Sequence, residues 1–131
     1  MAEPLAKVFE YAIEVGSDGT TSVPGSPGLE LPPEWSPDHL LLASLVHCSL
    51  QSLAHHARRA GHELRARGFA SGRVTKRESD GRYAFVEITC RLEATLTPPA
   101  ADPSELLAKA ERDCFVGATL ALRPRYEWRV G

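Results

Sequence analysis

Apolar and polar positions change period along the chain, and each change marks an element. "KVFEYAIEV" alternates with period two, as a half-buried strand does, and "GSDGT" after it reads as a turn by its Gly and Asp content. "SVPGSPGLELPPEW" is broken by Pro and Gly, so residues 1–35 read as short strands and a loop with one short extended piece. The pattern then turns helical. Ser36 suits an N-cap, Pro37 the first helical position and Asp38 the positive end of the helix dipole. Leu40, Leu41, Leu42, Ala43, Leu45 and Val46 cover nearly every face, which predicts a helix over 36–61 packed on most sides and stopped at Gly61.

Alternation returns over 68–97. "FASGRVTKRE" and "RYAFVEITCRLEATL" flank "SDG", predicting an antiparallel hairpin. Strict alternation puts Tyr83 and Phe85 on one face, and Ala84, Val86, Ile88, Cys90 and Leu92 on the more apolar one, so Cys90 points into a core. Pro98 and Pro99 end the strand. A second helix is expected over 102–120, with Asp102 as cap, Pro103 in the first turn and Glu105 closing a capping box. Cys114 falls inside that helix, and Gly117 is expected to interrupt or kink it. "RPRYEWRV" alternates Tyr126, Trp128 and Val130, which predicts a last strand over 124–130.

Composition narrows the class. The chain has 131 residues, the size of one domain, with 43% hydrophobic and 24% charged residues, as in an ordinary globular protein. A net charge of -2 gives no electrostatic reason to expect nucleic acid or a membrane surface as partner. The basic cluster "ARRAGHELRARG" is accounted for by a solvated helix end. The opening "MAEPLAKVFEYAIEVG" lacks a basic stretch leading into an apolar one, so no secretory leader is expected and a cytoplasmic location follows. Twelve Arg against three Lys suggest a GC-rich bacterial genome.

Three cysteines and no CxxC exclude a disulfide scaffold and a zinc ribbon. His47, His55 and His56 point in different directions around one helix and form no ligand set, so neither metal nor cofactor is expected. Cys48 and Cys114 each fall in a predicted helix and meet only if those helices pack together. Taken singly, each is most simply a small buried hydrophobe. Taken together they offer redox chemistry, in which one thiolate attacks an oxidant and the other resolves the sulfenic acid as a disulfide. Such a pair needs a charged or hydrogen-bonding partner, because burial alone raises a thiol's pKa.

At these residues the chain resembles the OsmC/Ohr superfamily of osmotically induced proteins and organic hydroperoxide reductases. Ser36-Pro37-Asp38-His39-Leu40 followed by Cys48 matches one signature, and Ala110, Cys114 and Leu120 in "AKAERDCFVGATL" match another. The terminal "YEWRV" also fits. The resemblance implies a single α+β domain with antiparallel sheets wrapped around two central helices, forming an intertwined homodimer with active sites at the interface. It implies a peroxidase acting on organic hydroperoxides or hydrogen peroxide and reduced by a lipoyl or thioredoxin-type thiol. In it Cys48 attacks the peroxide, Cys114 resolves, and Asp38 stands where a family glutamate orients an arginine. That arginine is missing: between Met1 and Trp35 the only basic residue is Lys7. Arg123, Arg125, His39 and His47 are the candidates to replace it. A stress-associated or small-molecule-binding dimer without efficient turnover is therefore the competing expectation.

Overall fold

The computed structural model describes residues 6–131, so the first five residues of the stretch read for a leader lie outside the described residues. Two compact units are present, one within Met1–Ser36 and one from Pro37 to Gly131. In the first, strands β1 (Glu14–Val15) and β2 (Thr21–Ser22) pair antiparallel across the expected turn. Gly19 supplies that turn with a φ of 86°, and Asp18 accepts the Thr20 N–H at 2.9 Å. Leu29 bridges back to Thr21, which is the one extended piece of the Pro/Gly loop. The strand is shorter than its alternation predicts. Residues 6–13 pair with no strand among the described residues, and Val8, Tyr11 and Ile13 lie exposed.

The second unit opens with helix α1 (Pro37–Arg59). Its stop follows the Gly rule: Gly61 takes a φ of 87°, while the His62 N–H reaches Ala57 O at 2.8 Å and the Gly61 N–H reaches Arg58 O at 3.1 Å. The helix is not covered all round. Leu45, Ser49, Ser52, Leu53 and Ala57 form one buried stripe, whereas Leu40, Ser44, His47, Gln51 and His55 form an exposed one. Apart from Leu40 the exposed stripe is polar, so within this unit the helix is amphipathic where packing on most sides was expected.

Strands β3 (Glu63–Lys76) and β4 (Tyr83–Thr97) make the predicted hairpin, although β3 begins five residues before the expected 68. Asp80 holds the turn, accepting from the Arg82 N–H at 3.1 Å and from the Arg77 guanidinium. The core face of β4 carries Ile88, Cys90, Leu92, Ala94 and Leu96, all buried. Closer to the turn the expected alternation fails. Register passes from Arg73↔Glu87 to Val74↔Phe85, so an extra residue on β4 shifts the phase and carries Phe85 onto the core side. Gly72 makes room for it, because a Cβ there would lie 2.6 Å from the Phe85 ring. Gly68 does the same for α1: a Cβ would stand 2.6 Å from Val46 and 2.7 Å from Leu92.

The expected single helix over 102–120 is two: α2 (Ser104–Arg112) and α3 (Phe115–Thr119). The break falls at Asp113–Cys114, ahead of Gly117, which lies inside α3. The capping box does not form. Asp102 accepts from the Ser104 N–H at 3.0 Å, but Glu105 turns along the helix to Lys109 at 3.1 Å. Strand β5 (Arg125–Val130) then joins β4 in parallel, giving the order β3-β4-β5 and a mixed sheet where antiparallel pairing was expected. Tyr126 and Trp128 lie on its core side and stack at 5.9 Å. The α+β class stands.

The outer face of the sheet carries ion pairs between directly opposed residues: Arg67–Glu93 at 2.7 Å, Arg73–Glu87 at 3.2 Å and Arg91–Glu127 at 3.1 Å. Arg65 and Arg67, read from sequence as part of a helix end, belong to this strand face.

Candidate functional site

The helix break builds the site. At Cys114 the backbone leaves α2 and turns extended, with φ −78° and ψ 108°, so the cysteine becomes the N-cap of α3. Its sulfur takes the place of the usual cap oxygen and accepts the Gly117 N–H at 3.4 Å. The expectation of Cys114 inside a helix is thereby corrected, for a reason that matters chemically: a cap residue aims its side chain across the first turn. Gly117 leaves little room there. A Cβ would come within 3.0 Å of the Tyr126 hydroxyl and 3.4 Å of Cys114 Sγ.

Cys48 approaches from α1. It is half-buried, Cys114 is wholly buried, and the two thiols are in contact with no disulfide between them. Burial pushes the Cys48 thiol up from its ordinary value. The Val116 N–H at the start of α3 pulls it down, the neighbouring Cys114 sulfur pushes it up again, and the Phe115 N–H lowers it slightly. The net direction is upward, and no cation is among these influences. Arg125 instead faces Glu127 at 3.9 Å on the outer sheet face.

Behind the two thiols lies a group that reading the cysteines alone misses. Ser49 is completely buried on the α1 stripe, and its hydroxyl stands 3.5 Å from Cys114 Sγ and 3.4 Å from the Tyr126 hydroxyl. It also bears on Cys90, whose thiol it favours in the ionised form. Burial drives the Cys90 thiol up to about 11, partly offset by Ser49, and pushes the Tyr126 phenol well above its usual range. Both groups are therefore protonated at neutral pH. The sequence held a signal for this hub. A serine four residues from both Leu45 and Leu53 shares their face, and a polar group on a buried stripe demands a partner.

Asp38, the third residue singled out from sequence, is exposed in the first turn of α1. Ten residues of helix put it roughly 15 Å along the axis from Cys48. His56 is more than a polar-face residue: its Nε2 meets Asp113 Oδ2 at 2.7 Å and ties α1 to the turn that carries Cys114. Arg112, with His56 in support, holds the Asp113 carboxyl down at about 2. His62 hydrogen-bonds the Pro98 carbonyl at 2.5 Å. Among the described residues no group of three or more His, Cys, Asp or Glu is placed to hold a metal ion, and no helix is long and apolar enough to cross a membrane.

Residues 29–129 match the family described as OsmC-like protein. No curated protein matches the sequence. Among solved structures, the chain is similar to an OsmC-like protein from Mycoplasma pneumoniae, with 17% identity, 97% of this chain and 98% of that one covered, and a TM-score of 0.71. A hypothetical protein from Aquifex aeolicus is similar at 21% identity, 96% and 98% coverage and TM-score 0.64. The organic hydroperoxide resistance protein OhrB of Bacillus subtilis is similar at 19% identity, 93% and 96% coverage and TM-score 0.56. At these identities the likeness to solved structures is one of fold.

Proposed function

Since the chain belongs to the OsmC-like protein family, we propose that it is a thiol-dependent peroxidase of organic hydroperoxides, acting in oxidative stress. The observation that carries this reading is the contact between a half-buried Cys48 and a wholly buried Cys114. The name of the Bacillus subtilis neighbour, an organic hydroperoxide resistance protein, supports the choice of substrate. The Cys48 thiolate attacks the outer oxygen of ROOH. The O–O bond breaks, the alkoxide leaves and takes a proton as the alcohol, and Cys48 becomes a sulfenic acid. Cys114 then attacks the Cys48 sulfur, expels its oxygen as water and closes the disulfide. An external dithiol of lipoyl or thioredoxin type returns both to thiols.

The missing N-terminal arginine is replaced, on this reading, by the Val116 and Phe115 amides, which favour negative charge on Cys48. Val116 contributes the larger share, and together the two amides offset part of the rise that burial imposes. Asp38, exposed in the first turn of α1 and roughly 15 Å along the axis from Cys48, keeps the place of the family acid on this reading and does not touch the sulfur. The working unit is a homodimer.

Cumene hydroperoxide consumption with excess dithiol tests the proposal. Wild-type protein is expected to turn over, Cys48→Ser to lose activity entirely, and Cys114→Ser to stop after the first oxidation and accumulate sulfinic acid. Peroxide left untouched by the wild type overturns it.

A second reading, of a stress-associated or small-molecule-binding dimer without efficient turnover, is favoured by the net upward push on the Cys48 thiol. It predicts slow alkylation of Cys48 by iodoacetamide near neutral pH. Rapid alkylation at about pH 6 counts against it.

A further inference from the structure

The inner face of α1 carries three polar side chains among its apolar ones. Ser49, Ser52 and His56 are spaced by three and then four residues, so they stand above one another on one face. The two serines are buried, and the His56 side chain is only 14% exposed. All three reach the same short segment, residues 110–114, where α2 ends and α3 begins. Ser52 Oγ donates to the Ala110 carbonyl at 2.8 Å, His56 Nε2 meets Asp113 Oδ2 at 2.7 Å, and Ser49 Oγ stands 3.5 Å from Cys114 Sγ. From the sheet, Trp128 Nε1 donates to Glu111 at 2.8 Å. Arg112 grips the Asp113 carboxylate at 2.9 and 3.0 Å and holds it ionised at neutral pH, so the proton of the His56 bond sits on Nε2. One helix therefore carries Cys48 and also three side chains that fix the segment carrying Cys114.

We propose that His56 is a positioning residue for the disulfide step: through Asp113 it holds the α2–α3 break against α1 and so keeps Cys114 beside Cys48. His56 touches neither sulfur. Closing a disulfide brings the two Cα atoms to about 4.4–6.8 Å, and every backbone freedom left to Cys114 dilutes that arrangement. The break has little stiffness of its own, because α2 has ended and α3 is only five residues long. Among the three contacts from α1, Ser52 holds the end of α2 and Ser49 touches the thiol itself. His56 holds the residue just before the cysteine, and does so with a charge-assisted bond, the stronger kind. The inference rests on the peroxidase reading only for naming Cys114 the resolving thiol.

The test needs no peroxide. Full-length protein is equilibrated with mixtures of oxidised and reduced dithiothreitol and quenched with acid, and the Cys48–Cys114 disulfide is counted against the free thiols by peptide mass. The protein's two thiols pass two electrons and two protons to the reagent's disulfide, or take them back, so the mixture sets the potential. His56→Leu, which cannot hydrogen-bond Asp113, is expected to disfavour the disulfide about tenfold, a rise in reduction potential of about 30 mV. His56→Gln, whose amide nitrogen can donate in place of Nε2, is expected to stay near wild type. Asp113→Ala, at the more exposed end of the pair, should match His56→Leu, and the double variant should be no worse than either alone. A merely structural histidine would lower the urea midpoint of the reduced protein and leave the potential where it was. The inference is overturned by wild-type protein that forms no Cys48–Cys114 disulfide, or by a potential that neither His56→Leu nor Asp113→Ala moves. A potential moved alike by His56→Leu and His56→Gln overturns it too. Peroxide consumption, measured separately, tells the two readings apart. Shifted potentials without turnover leave the positioning role and remove the peroxidase reading; turnover with an unmoved potential does the reverse.

Discussion

Neighbouring residues of α1 divide the work at this site. A helix turns by about 100° per residue, so Cys48 stands half-buried at the edge of the core, while Ser49 faces inward to Cys114 and Tyr126. Cys48 and Cys114 were legible because a spacing signature marks them. Ser49 was legible only as a polar group on a buried stripe and Tyr126 not at all, since neither shows its partner until a thiol from another element is set against it. Cys90 also links the cluster to stability. Its folded value, pushed up to about 11, lies above that of an unfolded thiol near ~8.5. The stabilisation is therefore complete below about pH 8.5 and is lost as pH rises toward about 11. At ~1.4 kcal/mol per unit the loss is about 3 kcal/mol. Cys90→Val, which cannot ionise, is expected to flatten the fall in unfolding free energy between about pH 8.5 and 11. An unchanged alkaline slope in urea titrations contradicts this.

Elements were read well where one local rule decided them and poorly where a long-range contact did. The end of α1 at Gly61 and the Asp80 turn follow from local chemistry, and both lie where expected. The break between α2 and α3 does not. Ala110, Cys114 and Leu120 share helical spacing, but capping by the Cys114 sulfur and the close approach of Tyr126 to Gly117 come from outside the segment. Phe85 changed face for a similar reason, because a bulge in pairing with β3 is invisible in β4 alone. Gly68 carries the clearest test of how α1 sits on the sheet. Gly68→Ala inserts a methyl 2.6 Å from Val46 and 2.7 Å from Leu92, where the helix crosses β3. Overpacking of this kind costs about 1–3 kcal/mol, and the urea midpoint should fall accordingly. A neutral result means the helix rides higher on the sheet.

At the scale of the molecule, the proposed homodimer meets large apolar side chains left open on the single chain. Val8 and Tyr11 are 80% and 84% exposed, Ile13 and Val15 follow at 64% and 66%, and Tyr83 on the hairpin is 71% exposed. Side chains of this kind are what an interface between copies would cover. The exposed stripe of α1 adds little to them, being polar apart from Leu40. Sedimentation equilibrium at micromolar concentration is expected to give twice the 14.3 kDa chain mass. A single-chain mass contradicts the dimer. The redox pair itself is reached most directly by counting thiols. Reduced protein receives one equivalent of cumene hydroperoxide without reductant, and its free thiols and intact mass are then read under denaturing conditions. Of the three cysteines, two should disappear together, with a mass lower by two hydrogens. Three free thiols and an unchanged mass contradict the account.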